Sequence, residues 1–247
     1  MSKKIAIYSM KGGVGKTAAA VNLSYLAASE GASTLLCDLD PQGASTYYFR
    51  IRASKSFNTN KFIKGGKHID KNIKGTDFPN LNLLPSKLSY RNLDLALDAL
   101  KNSKKRLKEI FKEVEYEYDY LFMDCPPGIS LVSENVFNAA DIILVPLIPT
   151  TLSELTYEKL LKFFKKHDKG TRKIHTFFSM VEIRKTLHQE TMNKLMEEDG
   201  NILETRIPYR SDVEKMGIYR EPVPVSSPHS ESTQAYIKLW NEIKTLL

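Results

Sequence analysis

The stretch YSMKGGVGKTAAA, residues 8–20, decides the fold. It contains Gly15, Lys16 and Thr17, which match the last three positions of the phosphate-binding pattern G-x-x-x-x-G-K-[ST]. Met10 replaces the first glycine of that pattern, and the next residue is a second lysine, Lys11. A loop suited to phosphate has thus lost a glycine and gained a charge, and both changes need an explanation.

The residues on either side of this loop give it the context that the pattern requires. Residues 3–9 form a short apolar run that predicts a buried strand, and residues 16–31 predict a helix that ends at Gly31. Glycines in such a turn let backbone N–H groups face phosphate oxygens, and the helix dipole adds to the attraction. We expect Lys16 to neutralise the β- and γ-phosphates and the Thr17 hydroxyl to coordinate Mg²⁺. The predicted nucleotide-binding residues here are Lys11, Gly12, Gly13, Val14, Gly15, Lys16, Thr17 and Ala18.

Outward from the loop, short apolar runs alternate with amphipathic segments. This alternation predicts an α/β fold, a mostly parallel twisted sheet with helices on both faces, as in P-loop NTPases. No linker or internal repeat is visible, so we predict a single domain over residues 1–247. Further strands are predicted at residues 33–40, 81–86, 118–124, 141–149 and 173–181. Further helices are predicted at residues 93–114, 153–167, 186–199 and 231–247.

Composition narrows the class of protein. No apolar run approaches the roughly 20 residues of a membrane span, and the N-terminus lacks the apolar core of a signal peptide. We therefore expect a cytoplasmic protein with no stable membrane insertion. Cys37 and Cys125 lie in apolar runs without a C-x-x-C partner, which favours two buried thiols over a zinc or iron–sulfur site.

The segment 50–75 is locally very basic. It contains Arg50, Arg52, Lys55, Lys61, Lys64, Lys67, Lys71 and Lys74, and Asp70 is its one acidic residue. The formal net charge of the chain is +7, which is compatible with binding nucleic acid but weak evidence alone. The segment is either a nucleic-acid contact or a solvated surface, and the sequence leaves both open.

The loop KGGVGKT resembles the deviant Walker A motif of the ParA/MinD ATPase family. In that family the extra lysine reaches across a dimer interface to the phosphates bound by the other subunit. The resemblance therefore implies that Lys11 acts with Lys16 in catalysis, in an ATP-sandwiched homodimer. It also accounts for Met10, because the loop of this family does not use the first glycine.

Two acidic strand ends strengthen the resemblance. DLDPQGAS, residues 38–45, looks like the switch I segment of the family, in which Asp40 matches the aspartate that orients the attacking water near Mg²⁺. YDYLFMDCPPG, residues 118–128, looks like its Walker B and switch II segments, and delivers Asp124 to a strand end where it can hold a Mg²⁺-bound water. The implied metal-site residues are Thr17, Asp40 and Asp124. The resemblance implies slow hydrolysis of ATP to ADP and phosphate.

The second half of the chain is similar to the base-binding and C-terminal segments of the family. This similarity assigns Met180, Ile207 and Pro208 to the adenine. Arg184 matches a basic position linked to nonspecific DNA binding in chromosomal ParA-type relatives, whereas a second such position aligns here with Asp212. Basic residues nearby that could replace it are Arg206, Arg210, Lys215 and Arg220. A solvated face is the alternative for these cations.

The resemblance also implies partners. It is to the small Soj-like type of ParA protein without an N-terminal helix-turn-helix domain, since the first predicted strand begins at residue 3. Such a protein binds double-stranded DNA nonspecifically as an ATP dimer and associates with the nucleoid. It partitions a plasmid or chromosome, or positions a protein cargo, and a ParB-like protein or cargo adaptor stimulates its ATPase.

Three other classes of protein are alternatives. A MinD-like membrane-associated positioning ATPase would need a basic amphipathic terminal helix, whereas residues 236–247 favour a packed helix. An electron-transfer protein of the nitrogenase iron-protein type would need two cysteines placed to bridge a cluster. An ATP-dependent metabolic synthetase would need a substrate constellation of its own, and the five scattered histidines suggest none.

Overall fold

The structure, a computed structural model, describes residues 1–167 and 170–247. The strands in chain order are β1 Lys3–Ile7, β2 Thr34–Asp38, β3 Lys74–Gly75, β4 Leu81–Leu84, β5 Tyr120–Asp124, β6 Ile142–Leu147, β7 Ile174–Val181 and β8 Ile202–Pro208. The helices are α1 Lys16–Ser29, α2 Ala44–Tyr48, α3 Thr59–Lys64, α4 Lys67–Asp70, α5 Leu93–Asp98, α6 Arg106–Val114, α7 Leu131–Ala139, α8 Thr151–Lys166, α9 Thr186–Glu198, α10 Ser211–Tyr219, α11 Val223–Ser226 and α12 Glu231–Lys244.

The strands of the described residues form one sheet in the order β3-β4-β2-β5-β1-β6-β7-β8. Neighbouring strands are parallel except β3, which pairs antiparallel with β4 at one edge. Each parallel connection requires a crossover, and helices provide most of these crossovers and cover both faces. The predicted fold class is confirmed.

Alternate residues of each strand face opposite sides, which divides the core in two. Ile5 and Ile7 of β1 join the apolar cluster that packs against α1, α10 and α12. Ala6 belongs to the other cluster, which α5 to α9 cover together with α3. Because both sides of the central strands are buried, their sequences are continuous apolar runs, as expected for a parallel sheet.

One predicted helix is wrong in its extent. Residues 93–114 were expected to form one helix, but α5 ends at Asp98 and α6 begins at Arg106. The buried side chain of Asn135 on α7 explains the break, since its Oδ1 accepts from the backbone N of Leu107 at 3.1 Å and its Nδ2 donates to the carbonyl of Ser103. An amide side chain thereby satisfies backbone groups that a continuous helix would have paired internally.

Four elements of the second half were not predicted: α7, β8, α10 and α11. A capping box between Ser130 and Ser133 begins α7, a signal that the sequence does contain. β8 is an edge strand that alternates buried Leu203 and Ile207 with more exposed polar residues. Such alternation is typical of a half-exposed strand and could have been recognised.

The predictions for the thiols and the terminal helix are confirmed. Cys37 and Cys125 are buried free thiols. On α12, Trp240 and Ile243 are buried, and the Trp240 ring lies edge-on to Tyr120 at 5.1 Å between centroids. Among the described residues, no helix has the length and apolar character needed to cross a membrane.

Candidate functional site

The predicted phosphate-binding loop lies at the carboxyl edge of the sheet, between β1 and α1. β5 is flanked by β1 and β2, and the strand register pairs Asp124 with both Ile7 and Asp38. Parallel strands bring their carboxyl ends to one edge, so the loop after Ile7 and the two aspartates converge. The sheet order alone therefore assembles the start of the site.

The loop backbone has the conformation that glycine allows. Gly13 and Gly15 have φ of 71° and 89°, in the left-handed region. A Cβ at Gly15 would lie 2.8 Å from Ser179 Oγ on β7, whereas a Cβ at Gly12 would meet no atom within 4 Å. Gly15 is thus needed twice, for its backbone angle and for its close approach to β7.

Lys16, the first residue of α1, is folded back over the loop. Its side chain is buried, with 7% of the residue exposed, and Nζ donates to the carbonyl oxygen of Lys11 at 2.9 Å. Burial lowers the pKa of Lys16, and the carboxylates of Asp124 and Asp40 oppose that shift. Its ammonium is therefore held in position by the fold and is poorly solvated, which strengthens its attraction for an anion.

Lys11 is placed differently. It is half-buried, and its Nζ lies 3.5 Å from Ser153 Oγ near the start of α8. Within residues 1–167 and 170–247, no carboxylate lies within ion-pairing distance of this ammonium. The charge added to the loop thus has a weak hydroxyl contact and, among the described residues, no anionic partner.

Asp124 is fully buried at the end of β5. Its Oδ2 accepts from Ser45 Oγ at 2.7 Å, and the Thr17 hydroxyl also hydrogen-bonds to this carboxyl. Its Oδ1 has no hydrogen-bond partner among the described residues. Burial raises the pKa of Asp124, while the bonds from Ser45 and Thr17 lower it. A buried carboxylate oxygen without a partner, beside a threonine hydroxyl, fits Mg²⁺ or one of its water ligands.

The other two aspartates of this edge have distinct settings. Asp38 is buried, and its Oδ2 accepts from both the backbone N and the Oγ1 of Thr46, at 2.8 and 2.7 Å. Burial and the neighbouring Asp124 raise the pKa of Asp38. Asp40 is half-buried, and its Oδ1 accepts from the backbone N of Gln42 at 2.9 Å. Asp40 is the most accessible of the three carboxylates, which is compatible with its predicted role of positioning a water.

Three hydroxyl residues of this site were missed from the sequence. Ser45 and Thr46 begin α2 and bond Asp124 and Asp38, and Ser86 donates to the carbonyl of Asp40 while its backbone N donates to Thr46 Oγ1 at 2.9 Å. The signal for Ser45 and Thr46 was the segment DLDPQGAS, residues 38–45, which ends at Ser45. Ser86 follows β4 and had no local signal, because its partner lies 46 residues away.

The three predicted adenine contacts do not share one environment. Met180 lies near the loop, with its Cε 3.9 Å from a Cβ built at Gly15, and has a left-handed φ of 54°. Pro208 ends β8 opposite Val181 of β7 and is half-buried. Ile207 is 2% exposed and packs in the core with α1 and α12. The assignment of these residues to adenine stays a prediction, and Met180 is the one that the structure places beside the loop.

Three of the five predicted DNA contacts lie together. Arg184, Arg206 and Arg210 line a groove of about 880 Å³ along β8, which we call the arginine groove. Lys238 adds a fourth cation, but Glu182, Glu204 and Glu231 line the same groove. Arg210 Nε donates to Glu231 at 2.9 Å, so part of the positive charge is compensated within the groove.

The other two predicted DNA contacts lie elsewhere. Lys215 is exposed on α10. Arg220 follows α10 with its guanidinium 4.4 Å from the ring centre of Tyr47, and its Nε donates to the Tyr47 carbonyl at 3.0 Å. Asp212 accepts from Ser232 Oγ at 2.8 Å and so ties α10 to α12. Arg220 and Asp212 thus both have structural contacts.

Comparisons with known proteins agree with this geometry. A family model described as an AAA domain matches residues 2–176. The chromosome-partitioning ATPase Soj of Treponema pallidum (strain Nichols) is 27% identical over 248 residues, which cover 98% of this chain and 97% of Soj.

Solved structures share the fold. A putative plasmid partition protein of Borrelia burgdorferi bound to AMPPNP has a TM-score of 0.83 at 23% identity, covering 100% of both chains. Cobyrinic acid a,c-diamide synthase of Mycobacterium smegmatis, with an ATP analogue and magnesium, has a TM-score of 0.81 at 20% identity, covering 98% of this chain and 93% of that one. At these identities the likeness concerns the fold.

The family model covers well over half of the chain, and the match to Soj covers nearly all of it. ATP and Mg²⁺ are the ligands of this protein, in agreement with the ligands bound in the similar structures. The assignment of Thr17, Asp40 and Asp124 to the metal stays a prediction. The chain belongs to the AAA-domain family and, within it, to the ParA/MinD group of ATPases with a deviant phosphate-binding loop.

Proposed function

We propose that this ParA-like ATPase hydrolyses ATP with Mg²⁺, forms a homodimer when ATP is bound, and binds double-stranded DNA nonspecifically in that state. By this cycle it partitions a plasmid or chromosome, or positions a protein cargo, at the nucleoid. The observation that carries the proposal is Lys11, a loop cation that forms no ion pair in residues 1–167 and 170–247, beside the cluster of Lys16, Asp40 and Asp124. The names of relatives support the cargo class, since Soj is a chromosome-partitioning ATPase and the Borrelia burgdorferi protein is a putative plasmid partition protein.

The loop binds the phosphates and stabilises charge. The backbone of residues 12–15 and the start of α1 present N–H groups, and Lys16 exchanges its bond to the Lys11 carbonyl for a phosphate oxygen. Phosphoryl transfer needs positioning and charge neutralisation more than covalent chemistry. A poorly solvated ammonium at a fixed position supplies both.

The carboxylates position the metal and the water. Bound Mg²⁺ would further neutralise the phosphates. The Thr17 hydroxyl would hold the ion, and Asp40 and Asp124 would hold its water ligands. Asp124 is fixed by Ser45 and is the buried anchor of this set. Asp40 orients the attacking water, since it is the carboxylate of the three that is not buried. No covalent intermediate on the protein is required.

Lys11 couples dimerisation to the nucleotide that the partner subunit binds. Its ammonium swings from Ser153 to the phosphates bound by the other protomer, so its charge is neutralised by an anion in the ATP dimer alone. A charge that gains a buried anionic partner can contribute several kcal/mol, which is enough to couple dimerisation to ATP. Hydrolysis removes part of that anion and weakens the dimer.

Dimerisation in turn gives DNA binding. Two copies of the arginine groove, with Lys215 exposed nearby in sequence on α10, double the number of phosphate contacts. Because affinity for the DNA backbone grows with the number of neutralised phosphates, a dimer binds where a monomer does not. A ParB-like protein or a cargo adaptor stimulates hydrolysis and releases the DNA.

The test is binding to a random-sequence duplex with ATP, with ADP and without nucleotide, at two salt concentrations. Asp40→Ala is expected to keep ATP-dependent binding, because it binds ATP but hydrolyses it slowly. Lys11→Ala is expected to lose DNA binding while it still binds ATP, because the sandwich does not form. DNA binding that does not depend on the nucleotide, or no DNA binding in any nucleotide state, would refute the proposal. Binding to anionic vesicles would then be tested next.

A further inference from the structure

The whole net charge of the protein lies in one segment. Residues 50–75 contain eight Lys or Arg residues and one Asp, a net charge of +7. The chain as a whole also carries +7, from 36 basic and 29 acidic residues. The other 221 residues therefore contain 28 of each and are neutral. Any long-range attraction of this protein for a polyanion is concentrated in a tenth of its length.

This segment is anchored to the fold. It runs from the end of α2 through α3 and α4 to β3, at the opposite edge of the sheet from β8 and the arginine groove. Phe57, Phe62 and Ile69 are buried in the core beneath it, and the Phe62 ring lies 5.0 Å from that of Tyr90. The backbone that carries the cations is thus packed against the core rather than forming a loose loop.

Most of these cations have no ionic partner. Arg50 pairs with Asp77 at 3.0 Å. The remaining seven form no ion pair within the part of the chain that the structure describes, and we call them the lysine surface: Arg52, Lys55, Lys61, Lys64, Lys67, Lys71 and Lys74. Five of them are exposed and two, Lys61 and Lys74, are half-buried.

Neighbouring elements do little to compensate this charge. Glu113 of α6 accepts from the backbone N of Gly66, between the lysines. Arg106 of the same helix donates to the carbonyls of Ile63 and Lys64, at 2.7 and 2.8 Å, and its own charge is paired with Glu109 at 2.9 Å. The arginine groove is different, since four cations there face three glutamates.

The chemistry of the lysine surface favours phosphate over protein. None of the large apolar side chains of residues 50–75 is exposed, so the surface offers no anchor of the kind on which protein interfaces depend. Lysine is also depleted in protein interfaces, whereas it contacts DNA phosphates without reading sequence. Ammonium and guanidinium groups that have no ion pair among the described residues suit a polyanion such as the phosphate backbone of DNA.

We propose that the lysine surface is a second DNA-binding surface, which contacts the phosphate backbone of double-stranded DNA separately from the arginine groove. This inference rests on the proposed function, because it names where the nonspecific DNA lies. The ATP dimer then presents two such surfaces, and their cations supply most of its salt-sensitive affinity.

The test compares two variants of equal charge change. The first combines Lys55→Gln, Lys64→Gln, Lys67→Gln and Lys71→Gln, all exposed positions of the lysine surface. The matched control combines Lys159→Gln, Lys162→Gln, Lys165→Gln and Lys166→Gln, all exposed on α8. Duplex affinity is measured with ATP between about 50 and 200 mM salt, and ATP-dependent dimerisation and basal ATP hydrolysis are measured alongside as checks on folding.

The lysine-surface variant is expected to lose about 10- to 100-fold in affinity and to flatten the plot of log affinity against log salt by about 2 to 4. The α8 variant is expected to change this slope by less than about 1. A lysine-surface variant that dimerises and binds DNA like the wild type would overturn this inference and leave the proposed function standing. Failure of the wild type to bind DNA would overturn both. Loss of binding to phosphatidylglycerol vesicles, with DNA affinity intact, would assign the surface to lipid and also overturn it.

Discussion

The phosphate-binding loop and the lysine surface use positive charge in opposite ways. Lys16 is 7% exposed, hydrogen-bonded at 2.9 Å and close to buried carboxylates. The cations of the lysine surface are mostly exposed and have no ion pairs among the described residues. A buried charge acts singly and is screened little by salt, whereas exposed charges act together and are screened strongly. The difference predicts large effects of single changes at the loop and small ones on the surface.

The largest effect is expected from Lys16→Ala. The loss of a buried ammonium that faces phosphate costs about 3 kcal/mol or more, so affinity for a non-hydrolysable ATP analogue falls by about 10²-fold or more. Titration calorimetry measures this directly. Lys162→Ala, an exposed lysine of α8, is the control and is expected to change the affinity less than about twofold. Similar losses of ATP affinity in the two variants would contradict the difference between the buried and the exposed lysine.

Next in size is a contrast between two glycines of the loop. Gly15→Ala forces a left-handed residue and a contact of 2.8 Å with Ser179 Oγ, and is expected to lower the free energy of unfolding by about 2 kcal/mol. Gly12→Ala meets no atom within 4 Å and is expected to lower it by less than about 0.5 kcal/mol. Urea unfolding without nucleotide compares them. Equal stabilities would show that the loop is less rigid than its geometry indicates.

A pH-dependent effect is expected at Asp124. Burial raises its pKa to about 6 from 3.8, so the folded protein holds this proton more tightly than the unfolded chain does. The stability that comes from protonation is complete below pH 3.8 and is lost as the pH rises through 6. Without Mg²⁺ and nucleotide, Asp124→Asn should therefore raise the free energy of unfolding at pH 8 by about 1–3 kcal/mol, and by less at pH 5.

Urea unfolding at the two pH values measures this difference. Asp98→Asn, an exposed aspartate on α5, is the control and is expected to change stability little at either pH. If Asp124→Asn destabilised the protein at pH 8, the buried carboxylate would be stabilising as an anion. Its pKa would then not be raised by burial.

The smallest effect is expected from a single change on the lysine surface. Lys67 is exposed and is one of the seven cations of the lysine surface. Lys67→Gln should therefore lower DNA affinity less than about threefold near physiological salt. Fluorescence anisotropy with a labelled duplex resolves such a change. A loss of more than about tenfold would mean that Lys67 acts as a specific contact, and the contrast between collective and single charges would no longer hold.

The sequence predicted the loop and the acidic strand ends because each depends on neighbouring residues. Gly15, Lys16 and Thr17 are consecutive, and Asp40 and Asp124 follow apolar strands directly. Contacts between distant segments were missed for the opposite reason. Ser86 reaches Asp40 from another strand, and Asn135 interrupts the predicted helix at residues 99–105 from α7.

For the charged surfaces, too, the sequence did not show contacts between distant segments. The sequence gathered Arg184, Arg206, Arg210, Lys215 and Arg220 into one set, but Arg220 stacks on Tyr47 and three glutamates enter the groove of the first three. Charge density along the chain was visible for residues 50–75, whereas the lack of ionic partners there required the fold. The density of positive charge along the chain and its neutralisation by acidic residues in the fold are separate properties. The sequence shows only the density.

The central claim is that Lys11 serves the nucleotide of a second subunit. The most direct test is the mass of the Asp40→Ala protein in solution, measured by light scattering with Mg²⁺ and ATP, with and without Lys11→Ala. We expect twice the 28.1 kDa of one chain for Asp40→Ala with ATP, and the mass of one chain when Lys11→Ala is added although ATP still binds. A monomer in both proteins, or a dimer that persists without Lys11, would contradict it.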